Sequence, residues 1–339
     1  MTHTPTAATP TAATLAVPGA TLYYETRGSG PLLLLIPGGA GDAGMYDTLA
    51  AELADRYTVV SYDQRCMSRS RLDGPLSDQQ VCVWSEDARH LLDHLAPRDE
   101  AFVMGCSSGA ITALDLLARH PDRVRRLVAH EPPLLELLAD PAPHRALFAE
   151  VREISRTRGP GPAMARFGAG LAGNRSGDQG NHGDHGDHGD HGDHGGDGGR
   201  GGHGGHGGHG DHGGDGGRGG HGDHGGHGDH GGHGDPTREP PADLREMADR
   251  MYANTPAFLE HVLCPFSSSA PDVPALRRAA GKLVLAAGRD SRDLEPLYGP
   301  AARLAELLGI DAPAEFPGGH LAAVEQPHVF AEHLAPLLR

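Results

Sequence analysis

The sequence predicts an α/β fold: a mostly parallel sheet flanked by helices. Three observations carry that prediction. Strand-like and helix-like patterns alternate along the chain, as they do where parallel strands are joined by crossover helices. The strand-like runs are short and aliphatic, as in Leu32-Leu33-Leu34-Leu35-Ile36 and Leu283-Val284-Leu285-Ala286-Ala287, the character of buried strands. A third run, Ala101-Phe102-Val103-Met104, leads straight into Gly105-Cys106-Ser107-Ser108-Gly109 and then into a helical stretch, Ala110 to His120, that stops at Pro121. Apart from one low-complexity segment, the 339 residues fit one α/β domain with a cap.

The Gly105–Gly109 stretch reads G-x-S-x-G between a strand and a helix, the setting of a nucleophile elbow. So sharp a turn holds its central residue in a strained conformation, and a neighbour with a Cβ would collide with it. Ser107 then projects above the sheet edge at the start of a helix, where backbone N–H groups receive developing negative charge. A base follows near the C-terminus. His320 ends the Gly-rich loop Pro317-Gly318-Gly319 after a short strand-like segment, and a helix begins behind it. From such a loop an imidazole reaches over a serine hydroxyl and takes its proton. The chain order, with His last, is the one this architecture uses.

On these residues the chain resembles the α/β-hydrolase fold superfamily, in particular its small actinobacterial-type serine hydrolases. The resemblance spans about residues 15–175 and 240–339. It is carried by Leu32 to Gly39, Tyr62-Asp63-Gln64-Arg65, the elbow, His130-Glu131-Pro132-Pro133 and Pro317-Gly318-Gly319-His320. It implies an oxyanion hole from the N–H groups of Gly39 and Ser108. Pro37-Gly38 stands where the family often has His-Gly, a change of side chain and not of donor. Arg65-Cys66-Met67-Ser68 stands where the family usually has small glycines, so that loop is expected to pack differently and shape the entrance. The triad acid has two candidate places. The family usually carries it just after the Leu283–Ala287 strand, which points first to Asp290, with Asp293 as a fallback. A minority carries it after the preceding strand, where Glu131 lies. Either carboxylate would orient the imidazole and stabilise its protonated form.

The resemblance also implies a division of the chain. Residues 1–14 form a disordered tail, 15–135 the first part of the hydrolase core, 136–280 a helical cap, and 281–339 the rest of the core. The cap carries a disordered insertion over 174–240. Its helical stretches are 143–158, 162–171, 241–264 and 273–280. Their apolar residues, among them Ile154, Met164, Phe167, Met251, Phe258, Leu259 and Leu263, form the cap's own core, with some facing Ser107. The expected pocket is apolar, for a small or medium uncharged ester, lactone or amide.

Composition narrows the classes. The net charge is −16 and no basic stripe with interleaved aromatics is present, which argues against nucleic-acid partners. No aliphatic run is long enough to span a membrane, and Met1 to Thr14 has neither the basic start nor the apolar core of a signal peptide. Cys66, Cys82, Cys106 and Cys264 have no framework spacing, so reduced thiols in a cytoplasmic protein are expected. Cys106, beside the elbow serine, is read as a small buried hydrophobe.

From His182 to Asp235 the chain contains only Gly, His, Asp and two Arg, in a Gly-Asp-His or Gly-Gly-His repeat of period three. With no apolar residue to bury, the segment cannot offset its chain entropy by folding. Its imidazoles, for example His182, His185, His188, His191 and His194, are candidate ligands for zinc or nickel. The simpler reading is a repeat expansion in a tolerant loop that binds metal adventitiously.

The leading expectation is therefore a cofactor-free serine hydrolase of small molecules. Ser107 argues against the aspartate nucleophile of dehalogenases and epoxide hydrolases on the same fold. The alternative is a metal-binding or storage protein that uses the fold as a carrier, and a third reading is a catalytically silent binding module. The insertion separates the first two. Replacing residues 182–235 by a short Gly-Ser linker is expected to shift the melting temperature little, keep ester turnover within a few-fold and remove most zinc or nickel binding, as read by thermal unfolding, assay and calorimetry. Loss of turnover on deletion, or turnover abolished by a chelator, would move the metal reading ahead.

Overall fold

Sheet order in the computed structural model, which describes residues 9–173 and 242–339, explains the runs of aliphatic residues. The strands are β1 (Thr11–Val17), β2 (Ala20–Arg27), β3 (Leu32–Ile36), β4 (Thr58–Tyr62), β5 (Arg71–Leu72), β6 (Ala101–Cys106), β7 (Val124–His130), β8 (Leu283–Gly288) and β9 (Ala314–Phe316). Between and after them lie α1 (Asp47–Leu53), α2 (Val81–Leu95), α3 (Ser108–Arg119), α4 (Ala142–Arg158), α5 (Pro160–Gly173), α6 (Ala242–His261), α7 (Leu263–Ser267), α8 (Val273–Arg278), α9 (Glu295–Leu308), α10 (Ala322–Glu325) and α11 (Pro327–Leu337). The sheet order is β1-β2-β4-β3-β6-β7-β8-β9, with β5 on β2. From β4 to β9 every pairing is parallel, and β1, β2 and β5 add an antiparallel edge. This is the α/β fold with a mostly parallel sheet that the sequence predicts.

Alternation along each strand divides the core into two layers, because successive side chains point to opposite faces. Leu34, Ile36, Val103 and Leu127 pack on one face with Trp84 and Leu91 of α2 and Ile111 and Leu114 of α3. Leu33, Leu35, Phe102, Met104 and Val128 pack on the other with Leu49 of α1 and Phe330 and Leu334 of α11. Each inner strand is thus buried on both sides, which is why it reads as continuous aliphatic sequence and not as alternation of apolar and polar residues.

The tail differs from the expectation at one point. Residues 11–14, assigned to it, are the first half of β1, which pairs with β2 from Thr11 opposite Thr26 to Val17 opposite Ala20. Backbone pairing, not burial, makes this strand: most of its side chains are exposed or half-buried, so Thr and Ala suffice and leave no hydrophobic signature. The expected insertion over 174–240, with its candidate ligands His182, His185, His188, His191 and His194, lies outside the described residues.

The helices between β7 and β8 match the expected stretches closely. Leu259, Leu263 and Phe266 are buried, and Phe148 of α4 meets Phe167 of α5 edge-on at 5.4 Å. Met164, by contrast, is 43% exposed. None of the described helices is long and apolar enough to cross a membrane.

Candidate active site

Parallel pairing brings the C-terminal ends of β3, β6, β7 and β9 to one edge, the edge where open α/β sheets hold their sites. The turn after β6 is tight for a steric reason. A Cβ on Gly105 would overlap the Gly109 backbone, and one on Gly109 would overlap the carbonyls of Ile36 and Pro37. Between them Ser107 takes φ 56° and ψ −125°, a conformation that L-residues avoid. Its N–H donates to the His130 carbonyl at 2.9 Å, and α3 starts at the next residue. The strain expected of the elbow is therefore present at Ser107.

Cys106 pairs with His130 across the β6–β7 ladder, so the residues that follow, Ser107 and Glu131, leave the sheet side by side. Glu131 also has positive φ, 46°, and is fully buried. Both carboxylate oxygens are engaged. Oε1 accepts the Gly288 N–H at 2.7 Å, and Oε2 lies 2.6 Å from His320 Nδ1. An ionised carboxylate only accepts, so Nδ1 carries the proton and Nε2 is left as the basic nitrogen. Burial pushes the Glu131 carboxyl up. The hydrogen bond and charge of His320, with His130 and the Gly288 N–H, outweigh that and hold it below the ordinary glutamate value.

Gly288 is required there. A Cβ on it would overlap the Gly318 carbonyl and the Gly319 backbone, so the loop that carries His320 could not approach the end of β8. The other candidate carboxylates lie elsewhere. The turn after β8, Arg289–Ser291, leaves the Asp290 side chain exposed, while the Asp290 N–H donates to the Gly318 carbonyl at 3.0 Å. Asp293 is exposed too. The structure thus brings Glu131 to His320, and it brings Asp290 only to the backbone of the loop before it. The physical reason is reach: from buried β7 the longer glutamate side chain points straight at the imidazole, whereas the turn after β8 directs Asp290 outward.

Behind this pair, Cys106 Sγ lies 3.6 Å from His130 Nδ1 and 3.6 Å from the His320 carbonyl. Burial pushes the Cys106 thiol well above its usual range, so it stays protonated. His130 is fully buried, edge-on to Phe316 and Phe330 at 5.6 and 5.5 Å. Burial lowers its pKa to about 4, although the Glu131 charge opposes the shift.

Gly39, after β3, has φ 58°, and its N–H donates to Ser108 Oγ at 3.0 Å. The loop behind it is held by α6. Asn254 Nδ2 donates to the Ala40 carbonyl at 2.9 Å and to Ser68 Oγ at 2.8 Å, and Asn254 Oδ1 accepts the Ser68 N–H at 2.7 Å. One turn away, Arg250 Nε donates to the buried Asp42 at 2.6 Å. Phe258, another turn on, lies beside Gly39: a Cβ there would sit 4.0 Å from its ring. The 63–70 loop has an uncommon backbone. Cys66 and Ser68 take φ of 65° and 43° without being glycine, and Asp63 anchors the loop through Arg69 and the Ala43 N–H. Sequence reasoning missed Asn254, Asp42 and Gly288, since a single polar residue in a helix or a loop and a glycine ending a strand carry no local signature. Among the described residues no group of three or more His, Cys, Asp or Glu is arranged to hold a metal ion.

Comparison with known proteins agrees with this architecture. Residues 31–157 match the alpha/beta hydrolase fold family. Over 125 residues the chain is 48% identical to the uncharacterized hydrolase YraK of Bacillus subtilis (strain 168), covering 37% of this chain and 46% of that protein. Over 138 residues it is 37% identical to a zearalenone hydrolase of Bionectria ochroleuca, covering 39% and 52%. The chain therefore spans about half the length of these relatives. Among solved structures, a thermophilic esterase from Thermogutta terrifontis superposes with TM-score 0.62 at 17% identity, covering 98% of both chains. The enol-lactonase from Burkholderia xenovorans LB400 does so with TM-score 0.61 at 17% identity, covering 96% of this chain and 99% of that one.

His130 gives the site a pH signature. Its folded pKa, about 4, lies below the unfolded value near 6.5, so the unfolded chain binds the extra proton first. The stability it contributes is complete above about pH 6.5 and is lost as pH falls through 4, by roughly 3 kcal/mol in all. In His130→Phe, denaturant unfolding at pH 7 and pH 4 should differ by correspondingly less than in the wild type; an undiminished difference would mean that His130 does not titrate this way. From its matched segment, its sheet order and its structural neighbours, the chain has the α/β-hydrolase fold.

Proposed function

We propose that the protein is a cofactor-free serine hydrolase whose triad is Ser107, His320 and Glu131, acting on an uncharged ester or lactone of small or medium size. The observation that carries this reading is the buried Glu131 carboxylate at 2.6 Å from His320 Nδ1, one strand from the strained elbow serine. In the mechanism, Ser107 Oγ attacks the substrate carbonyl as His320 Nε2 takes its proton. Glu131 stabilises the imidazolium through Nδ1–H without itself becoming protonated. Gly39 and Ser108 at the N-terminus of α3 support the charge on the tetrahedral oxygen. Collapse expels the alcohol, which receives the proton from His320. A water then repeats the sequence on the acyl-enzyme and releases the acid and free Ser107.

The substrate class rests on the surroundings and the relatives. Phe258 covers the Gly39 side, and Leu321, next to His320, is 47% exposed. Apolar neighbours of this kind suit an uncharged carbonyl compound. Relatives named as zearalenone hydrolases, and an esterase and an enol-lactonase among the structural neighbours, support an ester or lactone as the first substrates to try.

Two results test the reading. Ser107→Ala should lower ester turnover by on the order of 10³-fold or more and abolish fluorophosphonate labelling. Labelling that survives the substitution would remove Ser107 from the mechanism. Glu131→Gln should cost several orders of magnitude in kcat, and Asp290→Asn only a few-fold, in the same assay. The opposite ranking would return the acid to the loop after β8.

A further inference from the structure

We propose that the side-chain hydroxyl of Ser108 is itself a donor to the oxyanion, so that Gly39 acts on the reacting oxygen through Ser108. The proposal rests on the serine-hydrolase reading and deepens it. Three observations support it. The Gly39 N–H donates to Ser108 Oγ at 3.0 Å, so the hydroxyl oxygen lies where that donor points. Ser108 is 4% exposed, and among the described residues no acceptor is found for its hydroxyl proton. Ser108 is also the first residue of α3, and its neighbours Ala110 and Ile111 direct their N–H groups to the Ser107 carbonyl. The Ser108 N–H is thus one of the orphan donors of a helix start.

The chemistry follows from these facts. An anion that accepts the N–H of a serine at a helix N-terminus lies within reach of the same serine's hydroxyl, and the pair grips one oxygen from two sides. A hydroxyl that already accepts a hydrogen bond is a stronger donor, because bonds in a chain polarise one another. The Gly39 N–H therefore locks the orientation of Oγ and strengthens its proton as a donor. Charge-assisted bonds of this type are short and roughly twice as strong as neutral ones. A neutral ground-state carbonyl gains less from them than a tetrahedral oxyanion does, so the hydroxyl acts on kcat more than on KM. No proton is transferred: it stays on Ser108 throughout.

The other role open to this contact is a filler, in which the hydroxyl merely satisfies the Gly39 N–H and must turn away for reaction. The two roles predict opposite signs. The experiment compares wild type, Ser108→Ala and Ser108→Thr in turnover of p-nitrophenyl acetate and in the rate of fluorophosphonate labelling, whose phosphoryl oxygen takes the oxyanion position. Ser108→Ala should lower kcat and the labelling rate by on the order of 10–100-fold with KM within a few-fold, and Ser108→Thr, which keeps the hydroxyl, should stay within a few-fold of wild type. Ser108→Ala at or above the wild-type rate overturns the proposal and leaves the filler. Equal losses in the Ala and Thr variants also overturn it, since the hydroxyl would then not be what matters. Ser107→Ala separates this from the parent reading. If that variant is inactive while Ser108→Ala is fully active, only the hydroxyl role fails; if that variant keeps turnover and labelling, the serine mechanism fails with it.

Discussion

A buried carboxylate with both oxygens bound governs the geometry of this site. Glu131 has no solvent to share its charge, so its charge is tolerable only while its two partners stay in place. Those partners come from distant parts of the chain: the backbone of Gly288 at the end of β8, and the imidazole of His320 in the loop after β9. The β7–β8–β9 pairing must be in register for both to arrive, with His130 opposite Ala286 and Gly288 opposite Phe316. Glu131 thus ties three neighbouring strands to one imidazole orientation.

Strain is concentrated around the same place. The non-glycine residues with positive φ are Ser107, Glu131, Cys66 and Ser68, among those described. Two belong to the proposed triad, and two lie in the loop that α6 binds through Asn254. Conformations of this kind cost of order 1–3 kcal/mol each and persist only where the surroundings over-determine them. Here the surroundings are the close-packed glycines at the elbow, the His320 and Gly288 contacts at Glu131, and Asp63, Asp42 and Asn254 in the 63–70 loop. Among the helices between β7 and β8, α6 bonds directly to the loop that presents Gly39.

The fold was legible because parallel strands buried on both faces leave aliphatic runs of strand length, and because the elbow glycines announce a strand–turn–helix. The partnerships were less so. Asp290 and Glu131 both follow parallel strands, and sequence does not say which side chain turns inward. That depends on a short turn after β8 and on the reach of one extra methylene. β1 escaped notice because its Thr and Ala side chains bury little. Asn254 and Asp42 are single polar residues whose importance comes from partners more than 180 positions away in the case of Asn254 and Ser68.

Proton NMR reads the contact between Glu131 and His320 without an assay. A proton shared between an imidazole Nδ1 and a buried carboxylate at 2.6 Å is strongly deshielded and protected from exchange. A far-downfield resonance is expected in the wild type, persisting in Asp290→Asn and vanishing in Glu131→Gln. A resonance that survives in Glu131→Gln and disappears in Asp290→Asn would contradict it.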